Sequence, residues 1–214
     1  YYTSGSTGKP KGIRVRNENV CNLFEFLRVF PYQWSSNEVM LYQCSCSFDH
    51  FVVTILWIYI GGVGEIVVVE QGNEKNSQYL CRAMRERNVS VIFFVPSHLM
   101  LVYETSDLGV CRSLRLTMTA GEALSKILVE KLKFSGGEQL LIWNLYGPTE
   151  TTVDVSYFDT SLERQKNKKE MHVAIGKPFP GVQLRIRSDC SLWLCGNQVS
   201  SGYIGRDKIT KERF

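Results

Sequence analysis

Short apolar runs of strand length alternate with helix-spaced segments along most of this chain, and that alternation limits its fold more than any other feature. The runs "VMLYQCSC" (39–46), "EIVVV" (65–69), "VSVIFFV" (89–95), "SLRLTMT" (113–119) and "QLLIWNL" (139–145) read as strands, the third stopped by Pro96. Val20, Leu23, Phe24 and Leu27 recur at helical spacing, residues 50–60 and 77–87 read as further helices, and Ser125 can cap one carrying Leu128 and Leu132. Strands joined through helices are crossover units between parallel neighbours. The expected class is therefore α/β, with mostly parallel sheet flanked by helices. The character changes after Val155: a charged loop runs to Met171, then "VQLRIR" (182–187) alternates strictly, as a half-wet antiparallel strand does, and "SLWLCG" (191–196) can pair with it. A division into residues 1–155 and a smaller β-rich part, 156–214, is expected.

The bulk properties exclude several classes. Hydrophobic residues make up 44% and charged residues 21%, an ordinary globular balance. The net charge of +4 is mild, and Lys166, Lys168 and Lys169 have no interleaved aromatics, so they read as a solvated loop and not a nucleic-acid patch. Seven Cys, an odd number with no zinc spacing, read as thiols of a reducing cytoplasm; Cys44 and Cys46 would share a strand face. The apolar run "FVVTILWIYIGGVG" (51–64) falls short of the ~20 residues a spanning helix needs, so no membrane partner is expected. The chain opens on Tyr1 without Met and stops at "TKERF", which suggests a fragment of something longer.

In parallel sheets, ligands bind outside the carboxyl ends of the strands. Polar, glycine-bearing stretches follow Tyr2, Cys46, Thr119 and Leu145. The first, "YYTSGSTGKPKG" (1–12), crowds three Gly, four Ser or Thr and two Lys together. It is not a Walker A loop, because Gly5 and Gly8 are too close and Pro10 removes an amide donor. Its hydroxyls (Thr3, Ser4, Ser6, Thr7), its amides and Lys9 or Lys11 suit an anion such as phosphate; a flexible surface loop is the plainer alternative. In "NLYGPTETT" (144–152), Tyr146 offers a flat face for a base, and Glu150 is a hard oxygen ligand suited to magnesium, or simply a helix N-terminal acid. "TAGEAL" (119–124) is explained by a strand-to-helix turn, with Gly121 permitting close approach. In "SFDHF" (47–51), Asp49 is either an N-cap or a carboxylate awaiting a substrate amine in an apolar pocket.

Together these segments resemble the adenylate-forming, AMP-binding superfamily, most closely the adenylation domains of nonribosomal peptide synthetases. "YTSGSTGKPKG" is similar to their phosphate-binding loop almost letter for letter. "FDHFV", "AGEAL", "NLYGPTETT" and "IGKPFPGVQLRI" (175–186) resemble later motifs in the usual order, so the likeness runs over nearly the whole chain. The resemblance implies that residues 1–155 hold ATP and substrate, and that 156–214 begin a β-rich subdomain. It implies ATP phosphate contacts at Thr3, Ser4, Gly5, Ser6, Thr7, Gly8 and Lys9. It puts adenine along Gly121, Glu122 and Ala123, with Asn144, Tyr146 and Gly147 at the base. Thr149 would touch the α-phosphate, Glu150 would hold Mg2+, and Asp49 would bind an α-amino group. The substrate pocket would be lined by Asp49, His50, Val53, Phe93, Met118, Ala120, Leu145, Val153 and Asp154. Asp154 is an unusual second carboxylate, facing either a displaced or side-chain amine or simply solvent.

The implied chemistry is attack of a carboxylate on the α-phosphorus of ATP, giving an acyl-adenylate and pyrophosphate, then transfer to a phosphopantetheine thiol on a carrier domain of the same longer chain. A CoA ligase and a non-catalytic nucleotide-binding module of the same fold are the alternatives. The sequence departs from the pattern in a shortened stretch at 185–205 and in Asn17, where a His is common. It also ends before the family's ribose-binding Asp and its C-terminal domain with the catalytic Lys, so the piece alone is expected not to turn over.

Overall fold

The computed structural model describes residues 1–3, 10–29, 31–59, 63–106, 109, 111–137, 139–162 and 170–214. Strand β5 (Val91–Phe94) is buried at every position. Val91 and Phe93 belong to one apolar cluster, Ile92 and Phe94 to another. Successive strand residues face opposite sides, so a strand covered on both faces needs an unbroken apolar run, which "VIFF" supplies.

Around β5 lie β3 (Ser35–Tyr42), β4 (Val63–Val68), β6 (Leu116–Thr119), β7 (Leu141–Tyr146), β8 (Ser156–Asp159) and β9 (Lys177–Pro178), in the order β4-β3-β5-β6-β7-β8-β9. All pairings from β4 to β7 are parallel; β8 and β9 add antiparallel strands. Helices α1 (Asn17–Arg28) and α2 (His50–Tyr59) bring Leu23, Phe26, Leu27, Val53 and Trp57 to one cluster. Helices α3 (Ser77–Glu86), α4 (Pro96–Thr105) and α5 (Lys126–Gly136) bring Leu80, Met84, Leu99, Val102, Leu128 and Leu132 to the other. The mixed α/β class expected from the alternation is the observed one.

Local chemistry explains the helix starts. Asn76 accepts from the Tyr79 amide at 3.1 Å, and Ser125 accepts from the Leu128 amide at 3.2 Å. Pro96 ends β5 by opening α4, a helix absent from the expected series; a first-turn position needs no amide donor there. The expected strand 39–46 is displaced to Ser35–Tyr42, so Cys44 and Cys46 lie beyond the sheet and share no strand face. The chain leaves the sheet where the buried Gln43 side chain donates to the Phe93 carbonyl. In α1 the buried face is Asn19, Leu23, Phe26 and Leu27, with Phe24 only partly covered. The face turns because the Asn19 amide donates to the Asn197 carbonyl at 2.6 Å.

The chain's change of character at Val155 falls inside the large sheet, since β8 and β9 follow it. A separate antiparallel pair is formed by β10 (Val182–Ile186) and β11 (Leu192–Gly196), in the register the alternation anticipates. Strands β1 (Tyr2–Thr3) and β2 (Lys11–Gly12) make a small hairpin, and α6 (Asp207–Arg213) closes the chain. Among the described residues no helix is long and apolar enough to cross a membrane. Strand order reverses at β3, which has β4 on one side and β5 on the other. The segments after β3, β6 and β7 leave from the same edge of the parallel sheet, where such folds hold ligands.

Candidate functional site

The turn from β7 into β8 holds two consecutive non-glycine residues in the left-handed region, which no other described stretch does. Thr152 and Val153 both have positive φ, 58° and 70°. The left-handed region is costly for a β-branched side chain and persists only where the surroundings impose it. They do so here. A Cβ on Gly147 would collide with the Val153 carbonyl, so only glycine lets the two arms of the turn close. The buried Gln198 side chain then clamps the turn, donating to the Asp154 carbonyl at 2.6 Å and the Thr152 carbonyl at 3.3 Å, while Thr152 Oγ1 donates to the Gln198 carbonyl at 3.0 Å.

This turn carries a single 3-10 turn, Thr149–Thr151. Glu150 Oε1 accepts from the Tyr203 hydroxyl at 2.6 Å, and its backbone carbonyl accepts from the Ser200 amide at 2.8 Å. Oε2 of Glu150 has no partner among the described residues. The Glu150 carboxylate and burial both push the Tyr203 phenol up, to about 12, burial being the larger cause.

The N-terminal hairpin meets Glu150 through the same tyrosine. Ile13 bridges to Tyr203, the Ile204 amide donates to the Gly12 carbonyl at 2.8 Å, and the Arg14 amide donates to the Gly202 carbonyl at 2.9 Å. The Lys11 ammonium stands 4.6 Å from the centre of the Tyr203 ring. Thr3 and Lys11 face each other across the hairpin neck. Ser4, Gly5, Ser6, Thr7, Gly8 and Lys9 lie outside the described residues; the neck from which they extend is tied directly to the strand beside Glu150.

Asp49 precedes α2 and is buried. Burial raises its carboxyl above the usual range, the Thr149 hydroxyl and the His50 amide bond to it and oppose the rise, and the Glu150 charge adds to it. The Tyr1 phenol is also pushed up, chiefly by burial and then by Asp49. Asp154 does not point to solvent: it is 4% exposed, and no described donor reaches its carboxylate. Burial first, then the Asp49 charge, push it up to about 8. It lines a small cavity with Val53, Trp57 and Leu145. Val53, Phe93, Met118, Ala120, Leu145 and Val153 all belong to the cluster that walls this region. His50 is buried with its ring stacked on Phe93, and neither nitrogen has a partner among the described residues.

Gly121, Glu122 and Ala123 are exposed at the carboxyl end of β6. Gly121 has φ 86°, which suits glycine at the turn. The Glu122 carboxylate accepts from the Ser97 amide and hydroxyl, each at 2.9 Å, and so caps α4. Asn144 is buried, donates to the Ala174 carbonyl at 2.9 Å, and leaves Oδ1 buried without a partner among the described residues. Tyr146 is half-buried at the end of β7. Tyr203, Gln198 and Asn19 organise this region and escaped the sequence reading. Each acts across a long stretch of chain, and "SGYIG" carries no local signal for the bond its tyrosine makes.

Fold and geometry together define an α/β protein in which the neck of the N-terminal hairpin, the Glu150 carboxylate and an apolar pocket bearing Asp49 and Asp154 come together beside the carboxyl edge of a parallel sheet. The chain belongs to the AMP-binding enzyme family, whose model matches residues 1–204. This bears out the resemblance carried by the motifs. Tyrocidine synthase 3 of Brevibacillus parabrevis is 31% identical over the whole chain, which spans 3% of that relative. Phosphinothricin tripeptide synthetase PhsB of Streptomyces viridochromogenes is 32% identical, again over the whole chain, which spans 18% of it. Among solved structures, the Vibrio cholerae adenylation domain AlmE in complex with glycyl-adenosine-5'-phosphate superposes with a TM-score of 0.81 at 26% identity, covering 99% of this chain and 41% of that one. The N-terminal subdomain of Klebsiella oxytoca NpsA shares the fold, with a TM-score of 0.80 at 22% identity, and 55% of it is covered.

Proposed function

We propose that this chain forms part of an adenylation domain that activates an amine-bearing carboxylic acid, most simply an amino acid, with ATP. The observation that carries the proposal is the meeting of the loop neck, Glu150 and the Asp49 pocket through Tyr203 and Thr149. The substrate carboxylate attacks the α-phosphorus, the bond to the bridging oxygen breaks, and pyrophosphate leaves with the electron pair. The residues contribute placement and charge: loop hydroxyls and amides on the phosphates, Thr149 at the α-phosphate, Asp49 on the ammonium.

A magnesium ion fits the donors present. Among the described residues no cluster of three or more His, Cys, Asp or Glu exists, so few protein ligands are on hand: Glu150 would supply a carboxylate oxygen and phosphate oxygens would supply others. Such an ion would neutralise charge on the phosphates. Gly121, Glu122 and Ala123 would flank the adenine, Glu122 by its backbone because its carboxylate is engaged at Ser97. Asn144 Oδ1, Tyr146 and Gly147 would complete the base site. His50, Val53, Phe93, Met118, Ala120, Leu145 and Val153 would form the side-chain pocket. Asp154 supplies a second acidic group there, suited to an amine displaced from the α-position or carried on a side chain. A carrier-domain phosphopantetheine thiol and a cytoplasmic setting belong to the same reading.

The test is ATP–pyrophosphate exchange by the full-length protein against a panel of amino acids including β-alanine and basic ones. Amino-acid-dependent exchange lost in Asp49→Ala supports the proposal. Exchange that persists with amine-free acids and ignores Asp49→Ala would favour a CoA-ligase chemistry instead.

A further inference from the structure

Tyr203 lies 53 positions from Glu150, yet its hydroxyl donates to Glu150 Oε1 at 2.6 Å. Its backbone bridges to Ile13, directly after β2, and its amide donates to Thr210 Oγ1 at 3.0 Å. Its ring is held from two directions: Phe214 packs edge-on with centroids 5.4 Å apart, and the Lys11 ammonium sits over it. A phenol gripped by backbone, ring and cation has little freedom, so the one oxygen it donates to is fixed in space. A Glu side chain free to rotate would lose rotamer entropy on seizing a ligand; here that ordering is already in place. Oε2 stays without a described partner, pointing the chemistry of the group outward from a pinned Oε1.

We infer that Tyr203 is a positioning residue that fixes Glu150 beside the β1–β2 hairpin, so that the second carboxylate oxygen is presented to a divalent cation. The inference rests on the adenylation reading above and adds to it the residue that couples its two halves. Lys11 belongs to the same device: its charge over the ring is attracted to the π face and lies on the strand that carries the loop.

The experiment uses the full-length protein and measures ATP binding by calorimetry while Mg2+ is titrated, with Mn2+ binding followed by electron paramagnetic resonance as a second readout. Tyr203→Phe keeps the ring and removes the donor. Losing a hydrogen bond to a charged group should raise the half-saturating Mg2+ and Mn2+ concentrations about tenfold. ATP binding without metal, and the KM for the amino acid, should not move. In a Glu150→Gln background, Tyr203→Phe should add no further shift, because it acts only through that carboxylate. Wild-type metal-dependent ATP binding together with an unshifted metal dependence in Tyr203→Phe would overturn the positioning role while leaving the adenylation reading intact. Wild-type protein with no metal-dependent ATP binding would sink that reading, and the inference with it. If Tyr203→Phe lowers the thermal midpoint, Arg115→Ala, a destabilising change in the separate Glu38 cluster, separates folding from metal affinity: a metal shift equal to that of Tyr203→Phe would mean that lost stability alone is being read, and would overturn the inference.

Discussion

The His50 imidazole lies flat on the Phe93 ring, with centroids 3.4 Å apart and planes 14° from parallel. Both nitrogens are buried without partners among the described residues, and burial pushes the group down to about 3 from 6.5. The ring is therefore a neutral wall of the pocket at every ordinary pH, a shape element and not a proton carrier. The unfolded chain binds a proton on His50 well before the folded one does. Stability is thus fully present above pH 6.5 and falls as the pH drops toward 3. Relative to His50→Leu, the wild type should lose about 1.4 kcal/mol per pH unit over that window. Urea melts at several pH values check this; parallel curves would remove the argument.

Asp154 should behave in the opposite sense. Its folded value, about 8, lies above the ordinary 3.8. A raised carboxyl leaves the folded state at its most favourable below pH 3.8, and the benefit is lost as pH climbs through 8. Asp154→Asn, which keeps the shape and cannot ionise, should gain stability relative to wild type steadily across that interval and level off above it. A pH series of denaturation midpoints measures the gap.

Glu122→Ala should destabilise the protein by about 1–2 kcal/mol, because the Ser97 amide and hydroxyl at the start of α4 lose their acceptor. If adenine meets the backbone here and not the carboxylate, ATP affinity should change little. A large loss of ATP affinity with unchanged stability would assign the side chain to the nucleotide instead.

Glu38 is a second buried carboxylate with a different logic. Its side chain is 1% exposed and accepts from the Tyr32 hydroxyl at 3.0 Å, from the Ser90 hydroxyl, and from Arg115 at 2.8 Å. Arg115 is 58% exposed, so water replaces much of what it loses. Glu38→Ala should cost about 2–4 kcal/mol by orphaning two buried hydroxyls, and Arg115→Ala less, because both hydroxyls still hold the carboxylate. Chemical denaturation gives both, and the reverse order would contradict this account.

Periodicity and punctuation made the sheet legible. The apolar run 89–95 reads as a strand and supplies β5, Ser125 caps the helix it precedes, and strict alternation at 182–187 yields the separate β10–β11 pair. The motifs also announced the family. The helix opened by Pro96 was not legible, since a proline after an apolar run signals a stop equally well.

What the sequence alone determined is what depends on neighbours along the chain: the strand and helix series, the caps, and the polar stretches after β3, β6 and β7 at one edge of a parallel sheet, whereas the stretch after Tyr2 proved to belong to a separate antiparallel hairpin. Only the tertiary structure decided that Asp154 is buried beside Asp49, that Glu122 is committed to Ser97, and that Tyr203 joins the loop neck to Glu150. The reason is physical. Local preference is set by backbone sterics and side chains a few residues apart, whereas burial and hydrogen bonds between residues separated by 25, 44 or 53 positions exist only once the core has closed and excluded water from both partners.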